Sequence, residues 1–274
     1  MVTIKTPEDI EKLRQGGKIL ASILLALKEK AKGGVSAQEM ENEARCLTEE
    51  AGAKPAFLGY TPEGGARPFP SALCLSVNNE VVHGIPSESK YILKDGDLAT
   101  IDMGISYKGM IVDSAITVGV GGIDKVDDKG KMLLEAGALS LEAAIELCEN
   151  WTQVKGGVKT GDIGAATENS VSYYVKKYGF NFAENLGGHG VGYHVHEDPF
   201  IPNFARKGQG VLLQPGMVIA IEPILNEGSG KIDLLDNDYI YVTADGKRSV
   251  HFEHTILITE EGAEVLTAFD QDLI

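Results

Sequence analysis

The pattern of apolar and polar positions divides the chain into two successive stretches, each with helices followed by strands. Helical periodicity begins after Thr6, a candidate N-cap, and is predicted to end at the glycine pair at positions 33–34. Ser36 and Glu39 have the spacing of a capping box, which predicts a second helix that stops near Gly52. Short β-type runs separated by turn residues then extend from about residue 73 to residue 118.

The second stretch repeats this order. Helical pattern returns at residues 129–150 and 162–177, and strands are predicted at "MVIAIE", "DYIYVT" and "VHFEHTILIT". "GGVSAQEM" (33–40) and "GGVKTGDI" (156–163) echo each other at the start of corresponding helices, which favours duplicated halves. We therefore predict an α+β fold in which helices cover largely antiparallel sheet. No Pro/Ser-rich linker divides the chain, which favours a single domain over residues 1–274.

Composition narrows the function classes. A net charge of −15 argues against binding nucleic acid or an anionic membrane through general electrostatics. The three cysteines include no C-x-x-C pair, so a disulfide framework or thiolate zinc site is not expected, and a reducing cytoplasm fits best. The N-terminus is charged and polar, unlike a secretory signal, and the longest apolar run, at residues 19–27, is too short to span a bilayer.

A predicted hairpin, "IDMGISYKGMIVD" (101–113), carries two aspartates inside apolar strands. If its loop is Tyr107-Lys108, Asp102 lies directly opposite Asp113 on one face, with Cβ atoms about 5 Å apart. Two like charges in a half-buried sheet need compensation, either from a shared proton or from a divalent cation. Solvent-facing aspartates at a sheet edge are the alternative, and a bulge at Gly109 would change the pairing.

Two glutamates have similar surroundings. Glu222 ends "MVIAIE" and Glu253 lies within "VHFEHTILIT", both in strongly apolar β-type sequence. Three of the six histidines fall in the glycine-rich stretch "GGHGVGYHVHEDP" (187–199). Four carboxylates and one imidazole would balance the charge of two divalent ions, and an oxygen-rich set suits Mn, Fe or Co, with Zn possible.

At this point the whole chain resembles the type I methionine aminopeptidases, which have the pita-bread fold. The resemblance rests on five segments in this order: "SVNNEVVHGIP" (76–86), "IDMGISYKGMIVDSAITV" (101–118), "GGHGVGYHVHEDP" (187–199), "GMVIAIEP" (216–223) and "FEHTILIT" (252–259). Each segment alone is weak, but their order and spacing together are specific. The resemblance implies curved antiparallel sheets covered by helices, in two pseudo-two-fold halves.

The resemblance also implies a site. Five residues match the ligands of a dinuclear centre for Co, Mn, Fe or Zn: Asp102, Asp113, His189, Glu222 and Glu253. Asp113 and Glu253 would bridge the ions, His189 and Glu222 would complete one, and Asp102 the other. Glu222 would also serve as general base, while His83 and His196 would contact the substrate without holding metal. His194 has no role in the family pattern.

The implied specificity pocket departs from the family pattern. Its positions correspond to Phe57, Tyr60, Phe69, Cys74, Val195 and Tyr239. Phe57 stands where cysteine is frequent, Val195 replaces a usual phenylalanine, and Tyr239 a usual tryptophan. The expected result is an apolar pocket of altered shape that still suits a methionine side chain. Several of these residues could instead be ordinary core residues.

The leading hypothesis is therefore an enzyme that removes initiator methionine from chains whose second residue is small. The alternatives are a related aminopeptidase with shifted specificity, for Xaa-Pro or another N-terminal residue, and a non-catalytic relative that serves as a binding module. The expected partner is a peptide or nascent-chain N-terminus, without specific nucleic acid or membrane. A transient ribosome contact, a monomeric state and a cytoplasmic location complete the expectations.

Overall fold

A computed structural model describes residues 2–62, 64–65 and 67–269. Its α-helices are α1 (Pro7–Lys30), α2 (Ala37–Glu50), α3 (Asp128–Glu149), α4 (Thr160–Ser170) and α5 (Ser172–Tyr178). Its strands are β1 (Lys54–Pro55), β2 (Cys74–Val77), β3 (Glu80–Val82), β4 (Leu98–Tyr107), β5 (Met110–Gly119), β6 (Asn181–Phe182), β7 (Gly187–Gly190), β8 (Glu197–Pro202), β9 (Val218–Ile221), β10 (Ile224–Asn226), β11 (Ile232–Leu234), β12 (Tyr241–Thr243), β13 (Ser249–His251), β14 (His254–Ile258) and β15 (Ala263–Val265).

The helix starts follow the predicted caps. The Thr6 side chain accepts the Asp9 N–H at the start of α1, and Ser36 with Glu39 forms a reciprocal capping box at the start of α2. Helix α1 ends at Lys30, before the predicted glycine pair. The single helix predicted for residues 162–177 is wrong, because it divides at Val171 into α4 and α5.

Antiparallel sheets carry the site. One sheet has the order β1-β4-β2, with β5 also paired to β4, and a five-stranded sheet has the order β15-β14-β9-β7-β8. A backbone bridge between Ala115 of β5 and Glu253 joins the two. One hydrophobic core packs α1 and α2 against the first sheet, and a second packs α3, α4 and α5 against the other. This arrangement confirms the predicted α+β class. Helices cover the two sheets at the junction where their strands meet.

The predicted register of the β4–β5 hairpin is wrong. The loop is Lys108-Gly109, so Asp113 pairs with Gly104 and Asp102 pairs with Ala115. Both loop residues have positive φ, 51° and 83°, as a type I′ turn requires, and glycine at the second position suits it. The correct register is shifted by two, so the two aspartates still share a face but lie diagonally.

The two halves repeat a local backbone pattern. Residues 92–102, "ILKDGDLATID", correspond to residues 212–222, "LLQPGMVIAIE". Ile92 forms a bridge to Ser36 just before α2, and Leu212 forms the matching bridge to Lys159 just before α4. The residues that end these segments, Asp102 and Glu222, are both predicted metal ligands. The weak glycine-valine echo in the sequence is therefore part of a structural repeat.

In the described part of the chain, no helix combines the length and the apolar character that crossing a bilayer requires.

Candidate metal centre and adjoining cavity

A cavity of about 290 Å³ is lined by residues of the β4–β5 sheet, of the five-stranded sheet, and of β3, β12 and β13. Its walls include Phe57, Tyr60, Pro62, Phe69, Cys74, Val82, His83, Asp102, Asp113, His189, Val195, His196, Glu222, Asp238, Tyr239, Tyr241, His251 and Glu253. The structure thus brings together every candidate ligand, catalytic residue and pocket residue named from the sequence. It leaves out His194, which is exposed.

The five candidate ligands come from separate strands. Asp102 lies on β4, Asp113 on β5 and His189 on β7. Glu222 follows the last residue of β9, and Glu253 lies at the irregular step between β13 and β14. Asp102, Asp113 and Glu253 are buried, and the side chains of His189 and Glu222 are each 13% exposed.

Donor atoms of three of these residues converge. One ligand atom from each of Asp113, His189 and Glu253 lies within 4.8 Å of the other two. The His189 Nε2 atom is 3.4 Å from Glu222 Oε1, which adds a fourth donor beside them. Asp113 Oδ1 is buried without a hydrogen-bond partner among the described residues. An oxygen-rich set with one imidazole and an orphaned carboxylate oxygen fits a divalent cation.

The electrostatics of the cluster also call for a cation. Burial raises the pKa of Asp113 to about 7. Burial first, and then repulsion from Asp113, raises the pKa values of Asp102, Glu222 and Glu253 well above their ordinary range. Among the described residues, the cavity walls contain no lysine or arginine to compensate these acids. Carboxyl groups placed so close together therefore favour their neutral, protonated form. A bound divalent ion reverses that preference because it stabilises the carboxylates.

His189 is oriented as a ligand. Its Nδ1–H donates to the carbonyl of Gly190 at 2.8 Å, which leaves the Nε2 lone pair facing Glu222. Burial, followed by the neighbouring His196, lowers the pKa of His189 to about 3, so the ring is neutral. A neutral ring anchored through its other nitrogen is the usual form of a metal-binding histidine.

The two accessory histidines are also held by their second nitrogens. His196 Nδ1 lies 2.8 Å from the Tyr60 hydroxyl, and burial lowers the pKa of His196. Burial raises the pKa of Tyr60, so its hydroxyl stays protonated. When that hydroxyl donates to Nδ1, the His196 proton resides on Nε2. His83 Nδ1 lies 3.2 Å from the carbonyl of Tyr239, to which it donates. The His83 Nε2 lone pair is therefore an acceptor.

The rest of the cavity wall is mainly apolar. Phe69 packs edge-on against Tyr239 at 5.1 Å between ring centroids, and the Tyr239 hydroxyl donates to the Arg67 carbonyl. Phe57 lies over Gly104, where a Cβ atom would meet the phenyl ring at 2.7 Å. Together with Cys74 and Val195, these side chains form a buried apolar cluster next to the acidic one.

Sequence reasoning missed His251 and Tyr241 among the cavity walls. His251 ends β13 two residues before Glu253, and both line the cavity; this i, i+2 spacing is the signal that could have revealed it. Burial lowers the pKa of His251 to about 3. Tyr241 packs edge-on against His83 at 6.2 Å.

Comparisons with known proteins agree with this geometry. The family model "Metallopeptidase family M24" matches residues 11–260. A methionine aminopeptidase of Aquifex aeolicus is 41% identical over 97% of this chain and 98% of its own length, and methionine aminopeptidase 1 of Bacillus subtilis is 39% identical over 97% and 99%.

Solved structures extend the comparison. The crystal structure of a methionine aminopeptidase from Thermotoga maritima has a TM-score of 0.85 and 40% identity, with 97% of this chain and 99% of that chain covered. A prolidase from Pyrococcus furiosus has a TM-score of 0.74 at 23% identity and is covered over 66% of its length. At that identity the prolidase supports the fold alone. The pita-bread architecture predicted from the sequence is thereby confirmed.

Proposed function

This chain belongs to metallopeptidase family M24, and we propose that it removes the N-terminal methionine from peptides and nascent proteins whose second residue is small. The observation that carries the proposal is the convergence of Asp113, His189 and Glu253 donor atoms beside an apolar wall in one cavity. The acidic side suits peptide hydrolysis at a metal centre, and the apolar side suits an uncharged thioether side chain.

The metal set of the proposal is two divalent ions, chosen from Co, Mn, Fe and Zn. Asp102, Asp113, His189, Glu222 and Glu253 would hold them. When bound, such ions supply Lewis acidity, which lowers the pKa of water and polarises a carbonyl. The donor chemistry supports this set, since carboxylates and imidazole suit these metals better than a thiolate site would.

The chain's own side chains move the protons. Glu222 Oε1 lies 3.4 Å from His189 Nε2, and from there its carboxylate takes a proton from the attacking water and then delivers it to the departing amine. The Nε2–H of His196 donates to the oxygen of the first peptide carbonyl as negative charge develops there. His83 Nε2 accepts from the scissile peptide N–H, which orients the bond.

The apolar wall selects the side chain. Phe57, Phe69 and Tyr239 surround the space with aromatic faces, and Cys74 adds sulfur next to Asp102. Burial first, and then Asp102, raises the pKa of the Cys74 thiol well above its ordinary range, so it stays neutral. A neutral, aromatic and sulfur-containing pocket favours an unbranched thioether over a charged side chain.

The test is the release of methionine from Met-Ala-Ser by the full chain after loading with Mn²⁺, Co²⁺ or Fe²⁺. We expect turnover with at least one of these metals. Glu222→Gln should lower kcat by about 10²–10⁴-fold, because the amide cannot accept the proton. Absence of activity with every metal in a folded, metal-loaded sample would contradict the proposal.

A peptide panel separates the two specificities. Xaa-Ala peptides that vary the first residue, and Xaa-Pro peptides, are assayed under the same conditions. Methionine should give the highest kcat/KM. Higher kcat/KM for Xaa-Pro would instead indicate the related specificity predicted as the alternative.

The proposal also covers the domain organisation, the oligomeric state, the location and the ribosome contact. It comprises a single catalytic domain over residues 1–274, a monomeric state, a cytoplasmic location, and at most a transient contact with the ribosome. Ligands from both halves of the chain support the single domain. Residues 1, 63, 66 and 270–274 lie outside the described part.

A further inference from the structure

His251 is a buried histidine in the cavity with no assigned role. It is 2% exposed, and neither Nδ1 nor Nε2 has a hydrogen-bond partner among the described residues. Buried polar atoms of this kind are rare, because each one costs the desolvation of its group. Its backbone, in contrast, is firmly held: the His251 N–H donates to Thr117 Oγ1 at 2.8 Å, and the Thr117 hydroxyl donates to the His251 carbonyl at 2.8 Å.

The ring faces two carboxylates at nearly equal distances. His251 Nε2 is 3.8 Å from Glu222 Oε2 and 3.7 Å from Glu253 Oε2. These distances exceed a hydrogen bond. A shift of about 1 Å or less in the carboxylate of either glutamate brings its oxygen within hydrogen-bond distance of Nε2. A neutral imidazole has one N–H to donate, and the nearby acceptors are the two glutamate oxygens.

His251 differs from the candidate ligand His189 in its anchoring. His189 donates its Nδ1–H to the Gly190 carbonyl and so presents Nε2 for coordination. Histidines that ligate metals nearly always have such a partner on the second nitrogen, and His251 has none.

We propose that His251 is a positioning residue that donates Nε2–H to a carboxylate oxygen of Glu222 or Glu253 and so fixes the orientation of that side chain towards the metal centre. This inference rests on the proposed function for the identity of the two glutamates as ligands. Hydrogen bonds to ligating carboxylates hold them in the geometry that the ion requires, and their loss costs about 10–100-fold in metal affinity or activity.

The test compares two variants of similar size in the full chain. His251→Gln keeps an N–H donor, whereas His251→Leu has none. Each protein is titrated with Mn²⁺ and with Co²⁺ by calorimetry, and the visible spectrum of the Co²⁺ form reports coordination number. We expect His251→Leu to bind metal about 10–100-fold more weakly with unchanged stoichiometry and band intensity, and His251→Gln to recover most of the affinity.

A matched control separates positioning from general damage to the core. His254 is also buried, but its Nδ1 bonds Thr267 Oγ1 at 3.0 Å and it does not line the cavity. His254→Leu should lower Tm and leave metal affinity unchanged. If His251→Leu does not fold, His251→Met replaces it as the variant without a donor.

Three outcomes would overturn the inference. Wild-type metal affinity in His251→Leu or His251→Met would show that the ring positions nothing. Equal loss of affinity in the Leu and Gln variants would show that the donor is irrelevant. Loss of a whole equivalent of Co²⁺ with a changed spectrum would make His251 a ligand. Because the readout is metal binding, failure of the wild-type chain to release methionine would count against the proposed function alone.

Discussion

At the scale of single residues, the histidines of the stretch 187–199 have three different environments. His189 faces the acidic cluster. The His196 ring packs edge-on against the His189 ring, at 4.5 Å between ring centroids. His194 is exposed, and its backbone N–H donates to Glu197 Oε1. Strand parity alone would have paired His194 with His196. The structure separates them because the chain turns between residues 191 and 196 instead of continuing as a strand.

The contrast between these two residues gives the first prediction. His196→Ala removes the donor to the developing oxyanion and should lower kcat on Met-Ala-Ser by about 10²–10³-fold. His194→Ala keeps the backbone donor to Glu197 and should leave kcat within twofold, because the His194 side chain does not line the cavity. Steady-state kinetics on both variants checks this. Equal losses of kcat in the two variants would contradict the proposed role of His196 as donor to the oxyanion.

The hydroxyl of Tyr60 gives a second prediction. Tyr60→Phe removes the hydroxyl that lies 2.8 Å from His196 Nδ1, whose donation to Nδ1 would keep the His196 proton on Nε2. One neutral hydrogen bond contributes about 1 kcal/mol, so kcat should fall about fivefold, with little change in KM. Separate measurement of kcat and KM for the variant tests this prediction. A rise in KM at constant kcat would place Tyr60 in side-chain binding instead.

At the scale of elements, the N-terminal segment before α1 holds the turn that carries His196. The Lys5 ammonium lies 2.6 Å from Glu197 Oε2, and these side chains are 0% and 4% exposed. The Thr3 hydroxyl donates to the same oxygen, and the Tyr193 and His194 N–H groups donate to Oε1. Glu197 therefore links a segment near the chain start to the turn at residues 193–196.

Removing one partner of this buried pair is the third prediction. Lys5→Met leaves the Glu197 charge uncompensated and should lower the free energy of unfolding by about 3–5 kcal/mol at pH 7. Urea unfolding monitored by circular dichroism measures it. Thr6→Ala, an exposed cap at the neighbouring position, provides a comparison and should cost about 1 kcal/mol.

The same pair predicts a pH dependence. Burial acts to raise the pKa of Glu197, but hydrogen bonds from Lys5, Thr3 and His194 outweigh it, so the pKa is lowered from 4.5. A lowered folded-state pKa means that the stabilisation is present above about pH 4.5 and is lost as pH falls through the folded value. Unfolding at pH 7 and pH 4 should therefore show a smaller difference between wild type and Lys5→Met at the lower pH. A difference that grows in acid would contradict this assignment.

The hairpin of β4 and β5 shows how far sequence could predict an element. Its two apolar runs located both strands, but they could not decide between the loops Tyr107-Lys108 and Lys108-Gly109. The choice depends on positive φ at both loop positions, which Lys108 tolerates and Gly109 favours. A shift by two preserves the face, so the aspartates were correctly placed together despite the wrong register.

The candidate site was predictable for a different reason. Five short segments in fixed order resembled one family, and that resemblance named candidate ligands that lie up to 151 positions apart, from Asp102 to Glu253. No local pattern could have joined them, because the contact is made by sheet pairing across the two halves. His251 was not predicted as a site residue, because a single polar residue within an apolar strand gives no clear signal and the resemblance assigned no role to its position.

At the scale of the whole molecule, the proposed metal centre joins the two halves of the chain. The first half contributes Asp102 and Asp113, and the second contributes His189, Glu222 and Glu253. The repeated segments that end at Asp102 and Glu222 approach the cavity from opposite halves, so like charges meet where the halves join. A cation at this junction stabilises the association of the halves as well as the chemistry.

Metal removal should therefore destabilise the entire fold. Saturation at about 1,000 times Kd stabilises a folded protein by about 4 kcal/mol, and for a chain of this size each kcal/mol shifts Tm by about 2–4 °C. We expect Mn²⁺ at saturation to raise Tm by about 8–16 °C over a chelator-treated sample in scanning calorimetry. Asp113→Asn lacks one of the carboxylates proposed to hold the metal and should lose most of this shift. A Tm that is the same with Mn²⁺ and with chelator, in a sample shown by elemental analysis to bind metal, would mean that the ion does not link the halves.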